Sequence, residues 1–252
     1  MLAPRVFLAF HDFSLAGQHV LHFAQVSGLV RVEAAASSLM LPVAFAEHVT
    51  VWHFAEQQGA VPDVSFVVVN NAAIEESAYW TLADALLTLL SDAHVQVLTV
   101  VASLHLPYAK PSATAASPNV YHSVLNVDSD SSAQQDAAAT APALPTNGAS
   151  FQPVDATWEI KDRFFASLVH FLKVEQSPRA HFLLAKGYKP GRNHAGTYEA
   201  VDALGAAVTA FTDSRVTFDA QAIAAALPKR LASKLVDVNA QRQSDHHALL
   251  YQ

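Results

Sequence analysis

The stretch Phe66-Val67-Val68-Val69 is apolar at every position. A strand with one face in the core and one in solvent would carry polar residues at alternate positions. An uninterrupted apolar run therefore indicates a strand that is covered on both faces. The runs at 6–10, 95–101 and 181–185 have a similar character, whereas the run at 49–54 alternates more and is expected near an edge. Strands of this kind imply helices on both sides of one sheet.

Helical spacing separates these runs. Apolar residues recur every three to four positions at 79–90 and again at 158–172. Ser77 and Thr157 stand where N-caps would begin these two helices, and Glu159 falls in the predicted first turn of the second, where the helix dipole favours an anion. The alternation of strands and helices predicts an α/β fold, a three-layer α/β/α sandwich with a mostly parallel central sheet.

The remaining helical patterns set the domain boundaries. Two further helices are predicted at 198–208 and 231–238, and the residues that follow are polar. No internal repeat divides the chain, and neither half carries its own set of strands. We therefore expect a single α/β domain over residues 1–238, followed by a flexible C-terminal docking tail over residues 239–252.

One segment interrupts the strand and helix pattern. Residues 109–156 are rich in Ala, Ser, Asp, Pro and Gln, and 129–148 is of low complexity. Such a composition buries too little apolar surface to offset the entropy of ordering it. The segment is predicted to be a mobile insertion in the domain, and 120–127 is the part of it that could pair as a strand.

Composition excludes several classes of function. The chain has 252 residues, of which 52% are hydrophobic and 15% charged, as expected of a globular protein. Its net charge of −7 argues against nucleic-acid binding and against an acidic membrane surface. The absence of cysteine rules out disulfides, zinc–thiolate sites and a cysteine nucleophile. No apolar stretch is long enough for a membrane span, so an intracellular, soluble protein is expected.

A search for catalytic and metal-binding motifs finds little. Of the 13 histidines, His19 and His22 could share a helical face, but no H-E-x-x-H spacing follows. No dinucleotide, Walker or nucleophile-elbow motif is present, so no catalytic residue, metal ligand or cofactor site is predicted. The loop at 187–192 could bind an anion, although a plain strand-to-helix connection explains it better.

Two further features have simple structural explanations. Glu75 and Glu76 are adjacent in a helix lead-in and are expected to be solvated charges rather than a general-acid pair. Phe164, Phe165 and Phe171 widen the apolar stripe of the helix at 158–172 and are expected in the core. The excess width of that stripe would also suit a subunit interface.

The chain ends in Leu250-Tyr251-Gln252. The order of a hydrophobic residue, a tyrosine, any residue and a free carboxylate resembles the docking tail of activators and chaperones of the 20S proteasome. Composition alone would produce such an ending in about one chain in eighty, so a frayed terminus with a chance tyrosine is the alternative.

Three segments in order resemble one family. Segment 65–107 runs from a strand through Glu75-Glu76 to a helix that opens with Tyr79-Trp80. Segment 159–211 gives a helix, a break at Pro178, a strand and a second helix. Segment 227–252 gives a proline-containing helix and the tail. Together they resemble the proteasome assembly chaperone 1 family, whose members form an α/β/α sandwich without an enzymatic site.

The resemblance implies a non-catalytic chaperone of 20S proteasome assembly. It would pair with proteasome assembly chaperone 2 as a heterodimer, bind the α-subunit ring, and insert Leu250, Tyr251 and Gln252 into a pocket between ring subunits. No metal, cofactor, nucleic acid or membrane is implied. The expected location is the cytoplasm, and the nucleus is also compatible.

Two alternatives stay open. The first is the sister subunit, proteasome assembly chaperone 2, which has the same fold and role. The second is an α/β enzyme of hydrolase or nucleoside-processing type, with its functional residues at strand ends such as Asn70, His105 or Lys189. Such an enzyme would have a closed polar pocket with titratable groups of shifted pKa, and it would tolerate loss of the tail.

Overall fold

A computed structural model describes residues 1–34, 40–106, 120–127, 151–154, 158–187, 195–219, 221–226 and 228. Several predictions lie outside the described residues: the tail Leu250-Tyr251-Gln252, the helix at 231–238, the low-complexity stretch 129–148, Thr157 and Lys189.

The described fold contains ten strands, five helices with defined bounds, and a further helical run at 221–226. The strands are β1 (Arg5–Phe10), β2 (Ala24–Val26), β3 (Val30–Glu33), β4 (Val49–Ala55), β5 (Val64–Val69), β6 (Val97–Leu104), β7 (Val120–Leu125), β8 (Gln152–Pro153), β9 (Arg179–Lys186) and β10 (Val216–Phe218). The helices are α1 (Ala16–His22), α2 (Val43–Ala46), α3 (Tyr79–Asp92), α4 (Arg163–Glu175) and α5 (Ala195–Phe211). Short 3₁₀ turns at Asn71–Ala73 and Glu76–Ala78 precede α3.

Eight of the strands form one sheet in the order β3-β4-β5-β1-β6-β9-β7-β8. The four central strands, β5, β1, β6 and β9, are parallel to one another. The flanking strands β4 and β7 run antiparallel to their central neighbours. The predicted α/β fold with a mostly parallel sheet is confirmed.

Helices cover both faces of this sheet. Strand β1 shows why the run at 6–10 is apolar at every position. Leu8 and Phe10 point into the core under α3 and α4, whereas Phe7 and Ala9 point into the core under α1 and α5. All four are buried. The five residues from Val6 to Phe10 are therefore each removed from water on one face or the other, which stabilises the three layers through the hydrophobic effect.

The strand candidate inside the predicted insertion does pair with the sheet. Strand β7 lies antiparallel to β9, with Val120 opposite Ala185 and Tyr121 opposite Leu184. Val120 and Tyr121 are buried, so this piece belongs to the core of the domain. The strand at 49–54, predicted near an edge, lies between β3 and β5, one strand from the edge.

The prediction that Ser77 caps the helix at 79–90 is wrong. Helix α3 begins at Tyr79, the cap position is Ala78, and no side chain accepts a hydrogen bond there. The Ser77 hydroxyl instead donates to Glu75 Oε2 at 3.4 Å. A 3₁₀ turn at Glu76–Ala78 leads directly into α3, so Ser77 lies within that turn. It therefore stands one residue before the cap position, Ala78.

The next predicted helix begins later than its apolar pattern suggests. Helix α4 starts at Arg163, and the Asp162 carboxylate accepts a hydrogen bond from the Phe165 N–H at 2.8 Å. Glu159 therefore lies before the helix and not in its first turn. Trp158, which had been counted in the helical stripe, packs edge-on against Tyr121 with 4.6 Å between ring centroids. No helix among the described residues is long and apolar enough to cross a bilayer.

Candidate functional site

A cleft opens at the carboxyl ends of the central strands. Strand β1 leads into α1 on one face of the sheet, whereas its neighbour β5 leads through the 3₁₀ turns into α3 on the other face. Adjacent strands whose helices lie on opposite faces leave a crevice between their carboxyl ends, which is where open α/β sheets bind ligands. The cleft has a volume of about 780 Å³.

The floor of the cleft is apolar. Leu104 and Leu106 come from the end of β6 and the residues after it, and Phe182 and Leu184 come from β9. Phe165 of α4 closes the floor beside Phe182, with 5.6 Å between their ring centroids. All five side chains are buried, so the floor continues the hydrophobic core outward to the strand ends.

Asn71 and Tyr79 form a polar wall of the cleft. Asn71 is only 5% exposed, and its Oδ1 accepts a hydrogen bond from the His11 N–H at 2.8 Å. The Tyr79 hydroxyl donates to the Asn71 carbonyl at 3.2 Å. Burial raises the pKa of Tyr79, and the nearby Glu76 carboxylate raises it further, so the hydroxyl remains protonated at neutral pH. These contacts fix the wall between β1 and α3.

The rim of the cleft carries charges of both signs. Arg163 donates from Nη1 to Glu76 Oε2 at 2.6 Å, which links the start of α4 to the turn before α3. Lys161, Lys173 and Glu159 also line the opening and are exposed. Burial raises the pKa of Asp162, while its hydrogen bonds from the Phe165 and Phe164 N–H groups oppose that rise.

A buried carboxylate lies immediately after β1, beside the cleft. Asp12 Oδ1 accepts from the Ser14 and Ala16 N–H groups and from the Ser103 hydroxyl, and Oδ2 accepts from the Gly17 and Ser103 N–H groups. Burial raises the pKa of Asp12, and the hydrogen bonds oppose that rise. The carboxylate thus holds the start of α1 against β6.

Gly17 allows this close approach of α1 to the sheet. A Cβ at this position would lie 2.1 Å from the Val101 carbonyl oxygen and 2.9 Å from Asp12 Oδ2. Real Cβ atoms do not approach backbone oxygens so closely, so any side chain would push the helix away from β6. The sequence analysis did not single out Asp12 or Gly17. An acidic residue between a strand and a helix, with glycine five residues later, was the available signal.

Of the two described residues named for the enzyme alternative, His105 lines the cleft and Asn70 does not. His105 lines the cleft and packs edge-on against Phe13, with 5.4 Å between ring centroids. Asn70 is exposed, and its N–H donates to the His48 carbonyl at 2.8 Å. Lys189 lies outside the described residues. Of the two adjacent glutamates, Glu76 lines the cleft and pairs with Arg163, so the described structure does not make a carboxylate pair of them.

Histidines occur in two buried settings. His19 of α1 is buried, and its Nδ1 lies 2.6 Å from the Leu15 carbonyl. His122 and His181 stack on neighbouring strands, with His122 Nε2 3.1 Å from His181 Nδ1. The sequence analysis missed this pair, because it depends on the register between β7 and β9. Among the described residues no group of three histidine, aspartate or glutamate side chains is arranged to hold a metal ion.

The wide aromatic stripe of α4 divides between core and surface. Phe164 and Phe165 are buried against Phe10, as expected of core residues, and so are not available to an interface. Phe171 is half-buried and packs edge-on against Trp80 of α3, with 5.5 Å between ring centroids. Trp80 itself is 51% exposed, so the outer edge of the stripe reaches the surface.

The chain is similar to known proteins in structure and not in sequence. No family model and no curated protein sequence matches the chain. A Thermoplasma acidophilum protein of unknown function is similar, with a TM-score of 0.56, 9% identity, and 96% of this chain and 90% of that chain covered. So are two Pyrococcus furiosus proteins. PbaA, an archaeal homolog of proteasome-assembly chaperone, has a TM-score of 0.52, 6% identity and coverage of 92% and 91%. PbaB, an archaeal proteasome activator, has a TM-score of 0.51, 11% identity and coverage of 96% and 94%.

These similarities define the fold class. Each spans nearly the full length of both chains, so the whole α/β domain is shared and not a single βαβ unit. Identities this low establish a common architecture, and a common fold alone does not establish a common function.

Proposed function

We propose that this chain is a non-catalytic chaperone of 20S proteasome assembly. The observation that carries the proposal is a conjunction: a domain with the fold of PbaA and PbaB carries the ending Leu250-Tyr251-Gln252. The described fold is formed by residues up to 228, and the ending lies outside it. The two observations are therefore independent supports for a role on the proteasome.

The tail is proposed to act by inserting between neighbouring α-ring subunits. Burial of Leu250 would contribute about 1.5–3 kcal/mol. Tyr251 would add ring area and a hydroxyl hydrogen bond, as interface anchors do. The terminal carboxylate of Gln252 would form a charge-assisted contact with a pocket lysine. Residues 240–252, fully extended, would reach about 43–47 Å, enough to enter a pocket while the folded domain rests on the ring.

The proposed partner is proteasome assembly chaperone 2, in a heterodimer. A single flexible tail binds weakly, because ordering it costs conformational entropy. A second tail on the partner would raise the overall affinity through effective concentration without any new contact on this chain. The proposed location is the cytoplasm, with the nucleus as a second compartment where proteasomes could be met.

The test is capture of 20S α-subunits by the co-expressed heterodimer. Three forms of this chain should be compared: intact, lacking residues 250–252, and extended by one glycine after Gln252. The extension keeps every side chain and displaces only the carboxylate, so it isolates that contact. Clear weakening in both altered forms is expected. Undiminished capture by both would remove the tail from the mechanism, and no capture by any form would reject the chaperone role.

Each of the two alternatives makes a prediction that a separate experiment can check. If the chain is the sister subunit, it will pair with proteasome assembly chaperone 1 and not with chaperone 2 when each is co-expressed with it. If it is an α/β enzyme of hydrolase or nucleoside-processing type, tail removal will leave its activity unchanged. The cleft at the strand ends is the observation that favours the enzyme, and of the described residues named for it, His105 lies there.

A further inference from the structure

The cleft at the carboxyl ends of the central strands has the size and position of a ligand site. Its volume of about 780 Å³ falls within the range of about 300–1,000 Å³ that is typical of small-molecule pockets. It also lies at the carboxyl ends of the central strands, where α/β sheets bind ligands. Neither the assembly role nor the tail requires such a space.

The inner part of the cleft suits an apolar body. Leu104, Leu106 and Leu184 provide aliphatic surface at the strand ends, and Phe165 and Phe182 provide an aromatic surface. These side chains are held by the core behind them, so the surface is formed in advance and would not need to be ordered on binding. Apolar area buried against it would supply most of the affinity.

One buried amide gives the cleft a fixed hydrogen-bond donor. The Asn71 Oδ1 atom accepts a hydrogen bond from the His11 N–H at 2.8 Å, and this contact fixes the orientation of the side-chain amide. The Nδ2 group is then the part of Asn71 with donor capacity to offer a ligand. Because Asn71 is 5% exposed, an oxygen that accepts from it would be largely shielded from water.

Two lysines at the opening could pair with an anion. The charges of Arg163 and Glu76 offset each other across 2.6 Å. Lys161 and Lys173 form no ion pair with any described residue, and Glu159 is the one acidic rim residue that neither pairs with a base nor caps a helix within the described part. The lining carries three bases (Lys161, Arg163, Lys173) and three acids (Glu76, Glu159, Asp162), so its formal charge is balanced. The two lysine ammonium groups are the cations of this lining that a ligand carboxylate could pair with.

We infer that the cleft binds a small carboxylate with an aromatic or aliphatic body. The body lies on the leucine and phenylalanine floor, and the carboxylate lies toward Asn71 and the lysines of the rim. The inference concerns the folded domain and does not depend on the tail.

Isothermal titration of the full chain with 1-naphthoate and with 1-naphthylmethylammonium tests the inference. The two probes share one aromatic body and carry opposite charges, so their difference reports the charge preference of the site. Naphthoate is expected to bind with a Kd below about 1 mM, and the ammonium probe at least about tenfold more weakly. No binding of naphthoate up to about 5 mM, or equal affinity for both probes, would overturn the inference.

Variants locate the binding. The double charge reversal Lys161→Glu, Lys173→Glu is expected to weaken naphthoate about tenfold, whereas Arg215→Glu, an exposed charge reversal away from the cleft, should change it less than about twofold. Ser123→Trp places a large ring into the cleft and should abolish binding. If Ser123→Trp does not fold, the double variant at the two exposed lysines still tests whether naphthoate binds in this cleft. Equal effects of the lysine pair and Arg215 would refute a site in this cleft.

Discussion

The Asp12 carboxylate and Ser103 form two hydrogen bonds across 91 positions of sequence. The Ser103 hydroxyl donates to Oδ1 at 2.5 Å, and the Ser103 N–H donates to Oδ2 at 2.9 Å. The same carboxylate accepts from three N–H groups at and before the start of α1. One buried side chain thus joins the end of β1, the start of α1 and the end of β6.

Replacement of Asp12 by asparagine should destabilise the domain by about 2–5 kcal/mol. The substitution preserves size, but an amide NH₂ group would face N–H donors whichever way the amide is turned. Ser103→Ala removes one donor and leaves the carboxylate bonded to four backbone groups, so it should cost about 1 kcal/mol. Chemical denaturation of the unaltered protein and of the two variants measures both losses in the free energy of unfolding. A loss for Asp12→Asn no larger than that for Ser103→Ala would contradict this account.

Alanine should be harmful at Gly17 and beneficial at Gly205. The Gly17→Ala Cβ would lie 2.1 Å from the Val101 carbonyl oxygen, so α1 must move, at a cost of about 1–3 kcal/mol. The Gly205→Ala Cβ would meet nothing nearer than Phe218 at 3.6 Å, and alanine should stabilise α5 by about 0.5–1 kcal/mol. Thermal unfolding of both variants gives the comparison. Equal shifts of Tm would show that the helix–sheet contact at Gly17 is not close-packed.

The two candidate N-caps can be separated by alanine substitution. Asp162→Ala removes the acceptor for the Phe165 N–H and should lower the free energy of unfolding by about 0.5–2 kcal/mol. Ser77→Ala should change it by less than about 0.5 kcal/mol, because that hydroxyl bonds Glu75 and no N–H of α3. Urea denaturation is sufficient to measure both. A larger loss for Ser77→Ala than for Asp162→Ala would reverse the assignment.

Stability should fall in mild acid because of His181. Burial, then the neighbouring His122 and Arg179, lower the pKa of His181 from 6.5 to about 4. The unfolded chain therefore takes up its proton first as the pH falls. The stabilising contribution of the neutral ring is complete above pH 6.5, is lost between pH 6.5 and about 4, and falls no further below that.

The expected loss from this group between pH 7 and pH 5 is about 1–2 kcal/mol after allowance for solvent screening. His181→Leu removes the titration and should flatten the pH dependence by that amount relative to the unaltered chain. Denaturation at the two pH values, for both proteins, gives the difference. The same slope in both would show that His181 is protonated as readily in the folded state as in the unfolded one.

The strands were predictable because their signal is local. Residues covered on both faces are apolar without alternation, and β1, β5 and β9 each appear in the structure within two residues of the predicted run. The helix starts were less well predicted, because capping depends on the conformation of one or two residues. Ser77 and Glu159 satisfy a compositional rule, but the backbone enters the helices elsewhere.

The site could be predicted only in part. His105 was named because strand ends are where α/β proteins place their ligands, and it does line the cleft. The Asp12–Ser103 contact and the His122–His181 stack could not be predicted, since each joins residues that are distant in sequence. Which strands become neighbours is decided by the packing of whole layers, and no short sequence window contains that information.

The strand order has a consequence for how the protein is made. On the ribosome, β6 emerges about 75 residues before β9, the strand that will pair with its open edge. Strand β7 is made between them, but it also pairs with β9 and so has no partner until β9 emerges. The nascent chain therefore presents an apolar, unpaired strand edge for several seconds at ordinary rates of translation. During this interval the edge of β6 that will pair with β9 is exposed to aggregation in the newborn polypeptide.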